Sequence, residues 1–136
     1  MAEPVAALLR RSLDHLAVEA PESYRRLLDE LGPLVVGLDI DGELFSLRGG
    51  SALEVSSGLD ALTSARVATS RTAILDVLDA EESLGEAVEA DRIMVHGSLD
   101  AVVRGHDALM AYVHAAARAP SAPGLLTALR EGAAGR

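Results

Sequence analysis

The segment from Ala65 to Val113 changes its hydrophobic period several times, and few folds accommodate the resulting order. Ala65 to Thr69 alternates as a strand does, with Ala65, Val67 and Thr69 on one side. Arg71 to Ala80 puts Ile74, Leu75, Val77 and Leu78 on one helical face, with Thr69 or Ser70 placed to cap it. An acidic turn follows. Ser83-Leu84-Gly85-Glu86 then forms a capping-box pattern that opens a short helix. Arg92 to His96 reads as a further strand, burying either Ile93 and Val95 or Met94 and His96. A long helix from Ser98 to Arg118 completes the run.

Upstream, Val5, Leu8, Leu9, Leu13 and Leu16 recur at helical spacing behind Pro4. A second helix begins near Pro21 with Tyr24, Leu27, Leu28 and Leu31 on one stripe, and Gly32-Pro33 stops it. The period then becomes two. Asp41-Gly42 has the composition of a two-residue hairpin turn, and folding there pairs Ile40 with Glu43, Leu38 with Phe45 and Val36 with Leu47. Those residues share a mostly apolar face. Val35, Gly37, Asp39, Leu44, Ser46 and Arg48 share a mostly polar one. A sheet with one buried and one wet face is covered by helices on a single side. Gly49-Gly50 turns into a third strand, in which Leu53 and Val55 alternate with Ala52 and Glu54. Beyond Pro120 and Pro123, Leu125, Leu126 and Leu129 form the stripe of a short final helix.

At 136 residues the chain is one domain, large enough for a real core. Apolar residues make up 49% and aromatics only 2%, namely Tyr24, Phe45 and Tyr112. Any cavity is therefore aliphatic, which suits acyl chains or alicyclic skeletons better than stacked bases. The absence of cysteine excludes disulfides, thiolate metal sites and cysteine nucleophiles. A net charge of −9, with arginine as the sole basic residue besides histidine, argues against nucleic acid as partner. No transmembrane segment and no signal peptide is expected, which predicts a cytoplasmic protein. The lysine-free, alanine-rich usage hints at a bacterial source.

Several residue groups imitate sites. Asp39, Asp41 and Glu43 around Gly42 have the composition of a calcium loop, but Leu44 and Gly50 stand where its glycine and final glutamate belong. No metal site or cofactor is expected. Seven acidic residues between Asp76 and Asp91 contain no basic residue among them and read as a solvated surface. Ser98, Asp100, His106 and Asp107 include the residue types of a hydrolytic triad, yet Ser98 lies where a helix cap belongs. On the long helix, Leu99, Val102, Val103, Leu109, Met110 and Val113 form an apolar stripe with His106 in its middle. His106 either hydrogen-bonds within the core edge or meets a ligand's polar head and transfers a proton. His96 joins it if its side chain points inward. Beside that stripe runs a ridge of small residues, Ser98, Ala101, Gly105 and Ala108. Close packing on the sheet and room for a ligand both explain Gly105, and the sequence leaves both open.

The whole succession resembles the sterol carrier protein type two domain family over roughly Tyr24 to Arg118. The likeness is carried by the Asp41-Gly42 hairpin, Ala68-Thr69-Ser70, Leu84 to Ala87, and Ile93 to Val95 followed by Gly97 and a helix. The resemblance implies an α+β fold: a five-stranded, largely antiparallel sheet with helices packed on one face, enclosing a hydrophobic tunnel. It divides the chain into an extra N-terminal helix (residues 1–20), a lipid-binding domain (21–120) and a C-terminal lid helix and tail (121–136). The additional helix is expected to cover a face or to make a homodimer. The chain ends in Gly135-Arg136 rather than in the peroxisomal signal of eukaryotic members.

Three functions follow. The first is binding and carrying an apolar small molecule such as a fatty acid, acyl-CoA or sterol. Its expected site comprises Phe45, Ile74, Leu78, Val102, Gly105, His106, Leu109, Met110, Val113, Leu125, Leu126 and Leu129. The second is an enzyme of cyclase or isomerase type, with His106 and His96 as acid/base candidates. The third is a non-binding oligomerisation module whose tunnel is filled by its own side chains.

Overall fold

The computed structural model describes residues 4–59 and 63–134, so Gly135-Arg136 lie outside the described residues. Two helices come first, α1 (Val5–Glu19) and α2 (Pro21–Leu31), followed by strands β1 (Val35–Ile40), β2 (Glu43–Arg48), β3 (Glu54–Ser57) and β4 (Ala65–Thr69). Helices α3 (Arg71–Leu78) and α4 (Leu84–Glu89) lead to β5 (Met94–Gly97), then α5 (Leu99–Arg118) and α6 (Ala122–Ala134).

Local chemistry explains most of these boundaries. Asp41 and Gly42 take φ values of 54° and 88°, the left-handed pair that a type I′ hairpin turn needs. The register follows the sequence pattern, with Ile40 opposite Glu43, Leu38 opposite Phe45 and Val36 opposite Leu47. Ser70, Ser83 and Ser98 each accept a hydrogen bond from a backbone N–H in the first turn of α3, α4 and α5. At α4 the reciprocal bond from Ser83 N–H to Glu86 completes the capping box. That bond holds the Glu86 carboxyl below its ordinary range.

The strands lie in the order β3-β2-β1-β4-β5. β1 and β4 run parallel, while the other three pairings are antiparallel. The sheet is thus mixed, with one parallel pairing beside three antiparallel ones. The reason is the connection after β3, which must recross the sheet to start β4 in the direction of β1. At its described ends Leu59 and Thr63 lie on the outer face, where a Cβ on Gly37 would meet their side chains at 2.9 and 3.0 Å. Gly37 leaves the space that these two side chains occupy.

Val36, Leu38, Ile40, Phe45 and Val67 form one buried face and join residues of α1, α2, α3, α4 and α5 in a single core. On the outer face Leu44 and Arg66 are exposed. At β5 the choice falls on Ile93 and Val95, buried and half-buried, while Met94 and His96 are exposed.

α1 is integral to this core: Val5, Leu13 and Leu16 are buried in it, and Leu8 is buried in the apolar cluster beside it. Pro4 supplies no side-chain cap. Instead Glu43, just past the hairpin turn, accepts the Val5 and Ala6 N–H groups on its two carboxylate oxygens, each at 2.8 Å. A negative group at a helix N-terminus satisfies orphan donors and complements the helix dipole. Asp41 does the same from the neighbouring position, accepting the Arg71 N–H at the start of α3 at 2.9 Å. One hairpin therefore anchors two helices.

The acidic surface is braced rather than simply solvated. Arg92 bonds Asp76 and Glu82 at 2.8 and 2.6 Å, and Arg130 bonds Asp79.

Candidate functional site

The long helix decides where empty space lies. α5 approaches the sheet through small residues, and its buried positions are Ala101, Gly105, Ala108, Ala115 and Ala116. The larger apolar residues ride on its flank, so Leu99 is 78% and Val103 53% exposed. The expected stripe centred on His106 is therefore rotated by roughly a third of a turn from the face that packs. Size explains the difference. Ala and Gly let the helix close on Ala65 and Leu34, which lie 3.9 and 3.8 Å from where a Gly105 Cβ would be.

Between sheet and helices lies a cavity of about 130 Å³. Its floor is Val36, Leu38, Ile40, Leu47 and Val67. Residues of α1, α2, α3 and α5 form its walls, and Leu125 and Leu129 of α6 close one side. Thr69 and Tyr112 bring the only side-chain polar groups among the lining residues. Both are engaged elsewhere. The Thr69 hydroxyl donates to the Arg92 carbonyl at 2.9 Å, and the Tyr112 hydroxyl shares a 2.9 Å hydrogen bond with Ser12. Although part of Tyr112 is exposed, burial of its hydroxyl pushes the phenol up, an effect that the bond to Ser12 partly offsets.

Of the expected site residues, Ile74, Leu78, Gly105, Leu109, Val113, Leu125 and Leu129 line this cavity. Phe45 is fully buried, but it is packed within the core and does not border the void. Val102, His106 and Met110 sit half-buried on the outer shoulder of α5, outside the lining, as the rotation of that helix requires. Leu126 packs in a second apolar cluster with Leu8, Leu75, Leu78, Ala116 and Leu129. His96 is exposed on the edge strand opposite Arg66. The two acid/base candidates thus stand outside the cavity, and Ser98 serves as the α5 cap. Among the described residues no group of three or more His, Cys, Asp or Glu is placed to hold a metal ion, and no helix is long and apolar enough to cross a membrane.

Sequence reasoning missed the contributions of α1 and α2: Val5, Leu8, Leu9, Leu13, Leu27 and Leu31 all border the cavity. Their helical stripes were legible, but nothing local says that two stripes converge on the same void.

No family model and no curated protein matches the chain. Solved structures do. A UbiJ-SCP2 ubiquinone synthesis protein superposes with a TM-score of 0.58 at 15% identity, covering 79% of this chain and 90% of that one. The fold is that of sterol carrier protein 2. A conserved hypothetical protein from Thermus thermophilus, described as possibly a sterol carrier protein, gives a TM-score of 0.53 at 15% identity. It covers 85% of this chain and 90% of its own. The apo form of sterol carrier protein 2 from Yarrowia lipolytica gives 0.52 at 11% identity, over 79% and 88% of the two chains. The fold is shared at identities too low to carry a ligand or a residue role across.

Proposed function

We propose that this protein binds and carries an apolar small molecule in the cavity between its sheet and its helices. One observation carries the reading: an aliphatic void in which every polar side-chain group is already hydrogen-bonded. A dry space of this kind attracts apolar matter and offers nothing to a nucleophile or a proton. The names of the solved neighbours, sterol carrier proteins and a ubiquinone synthesis protein, are consistent with an apolar cargo.

Size sets the mechanism. A cavity near 150 Å³ holds roughly one benzene, whereas sites for larger ligands span about 300–1,000 Å³. At about 130 Å³, the space admits a short alkyl segment as it stands and must open into a tunnel for anything longer. α6 is the wall that moves. Among its described side chains only Ala122 and Leu129 are buried, and Arg130 pins it to the end of α3 through Asp79 on the protein surface. Each methylene taken out of water contributes about 0.8 kcal/mol, so a modest tail offsets the displacement of a weakly held helix. Selectivity among apolar tails is then loose, since successive homologues differ by only that increment.

Native mass spectrometry of freshly purified protein, followed by organic extraction, tests this directly. A retained apolar molecule is the expected result. A clean mass that persists after exposure to fatty acids, acyl-CoA and sterols would sink the reading and favour a filled core.

A further inference from the structure

The two edges of the sheet are treated differently. At β3 the chain covers its own edge: α1 packs beside the strand, and Arg10 Nη2 donates to the Val55 carbonyl at 3.0 Å. At β5 the edge is open, with Met94, His96 and Gly97 exposed and Val95 half-buried. The backbone directions there follow from the ladder. The Thr69 carbonyl accepts the Asp41 N–H at 3.1 Å, so Thr69, Val67 and Ala65 turn their backbone groups toward β1. Arg66 and Ala68 then face His96 and Met94 across the β4–β5 pairing. The N–H and C=O of Val95 and Gly97 consequently point away from the sheet. Edges are usually blunted by lysine, proline or an inward charge, and β5 contains none of these.

The flank of α5 beside that edge is apolar as well. Leu99, Val103, His106 and Met110 recur at the three-four spacing of a helix-pairing seam, and each is exposed or half-buried. Asp100 and Asp107 stand about a quarter of a turn away from the seam. From Met94 to Leu99 there is no carboxylate, in a chain of net charge −9. This border therefore offers no charge to an ionic partner, and it spares a second copy the repulsion that the rest of the surface imposes.

Geometry selects that second copy. Two β5 strands related by a two-fold axis perpendicular to the sheet pair antiparallel and keep both helix layers on the same side. α5 rides over β4 and β5: a Gly105 Cβ would lie 3.9 Å from Ala65, and a Gly97 Cβ 3.5 Å from Ala101. Its symmetry mate then falls about two strand spacings away, roughly 10 Å, the separation at which helices interdigitate. One symmetry operation satisfies the strand edge and the helix seam together.

We propose that β5 and the outer stripe of α5 form a homodimer interface, in which the sheets of two chains join edge to edge. The N-terminal helix does not supply it, because its leucines are committed to the chain's own core and cavity.

Sedimentation velocity on the full chain over a concentration series, combined with amide hydrogen exchange, tests this. A species of twice the 14.1 kDa chain mass is expected, with the Val95 and Gly97 amides protected at high concentration and exchanging faster on dilution. Leu99→Glu should weaken association more than about tenfold by placing a charge in the apolar seam, a change that the first turn of a helix tolerates. Val95→Pro should weaken it too, by removing a donor that β4 does not use. Val18→Glu, on the exposed side of α1, should leave the dimer intact. A chain that stays monomeric up to about 1 mM, well above the range of specific association, would overturn the proposal. So would a dimer that Val18→Glu dissociates, or one whose Val95 and Gly97 amides exchange as freely as in the monomer. That exchange result decides the matter even if either interface variant fails to fold.

Discussion

Gly97 and Gly105 lie in adjoining parts of one strand-to-helix unit, yet they meet opposite surroundings. At Gly97 φ is 149° and a Cβ would fall 2.8 Å from the Ser64 carbonyl oxygen and 3.3 Å from the Ala65 Cα. Only glycine fits between β5, α5 and the start of β4. At Gly105, by contrast, the nearest atoms would lie at 3.8 and 3.9 Å, ordinary van der Waals contact. Packing there tolerates alanine, and an internal helical glycine costs roughly 1 kcal/mol relative to it. The first glycine serves the path of the chain. The second borders the cavity, where an alanine would make only ordinary contacts. Scaffold and cavity thus impose different demands on residues of the same type.

That contrast can be broken or sharpened experimentally. Gly97→Ala should have the largest effect, a loss of about 3 kcal/mol from left-handed strain and backbone overlap, read as a lower denaturation midpoint at unchanged slope. A loss under about 1 kcal/mol would mean that the junction yields and that the contrast with Gly105 is false. Next comes Glu43→Ala, which removes both carboxylate bonds to the α1 N-terminus. A destabilisation of about 2 kcal/mol is expected, with the amide protons of Val5 and Ala6 exchanging faster. Unchanged exchange there would show that α1 belongs less firmly to the scaffold than its buried leucines indicate.

Gly105→Ala should act in the opposite direction, raising stability by about 1 kcal/mol while lowering the affinity for 1-octanol. Stability and binding falling together would instead make Gly105 a packing residue like Gly97. The smallest effect belongs to Tyr112, whose folded pKa is raised above its unfolded value near 10. The neutral phenol therefore contributes stability that is fully present below about pH 10 and is lost as pH rises through the folded value. Tyr112→Phe should cost about 0.5 kcal/mol at neutral pH and flatten the alkaline limb of the stability curve. A limb as steep in the variant would place the titration elsewhere.

Most of the fold was legible because its signals are local. Asp41-Gly42 specifies its turn and so the register of β1 and β2. Ser70, Ser83 and Ser98 mark helix starts through hydrogen bonds to N–H groups only three residues away. What stayed illegible depends on contacts far apart in sequence. The parallel pairing of β1 with β4 joins strands that β2 and β3 separate in sequence, and nothing in either strand announces it. The orientation of α5 misleads because hydropathy favours Leu99 and Val103 over Ala101 and Ala108, whereas the sheet accepts whichever face comes closest. The cavity inherits both difficulties. The wall residues of α3, α5 and α6 could be proposed from their own stripes. The wall from α1 required knowing that Glu43 holds the start of the N-terminal helix beside the hairpin.

The most direct test of the central claim is a methyl NMR titration of the protein with 1-octanol. Saturable shifts of Ile74, Leu109, Val113 and Leu129 are expected, with Leu99 and Val103 on the exposed flank of α5 unmoved. Shifts concentrated at Leu99 and Val103, or no saturable shift at all, would contradict the assignment of the space between sheet and helices as the ligand site.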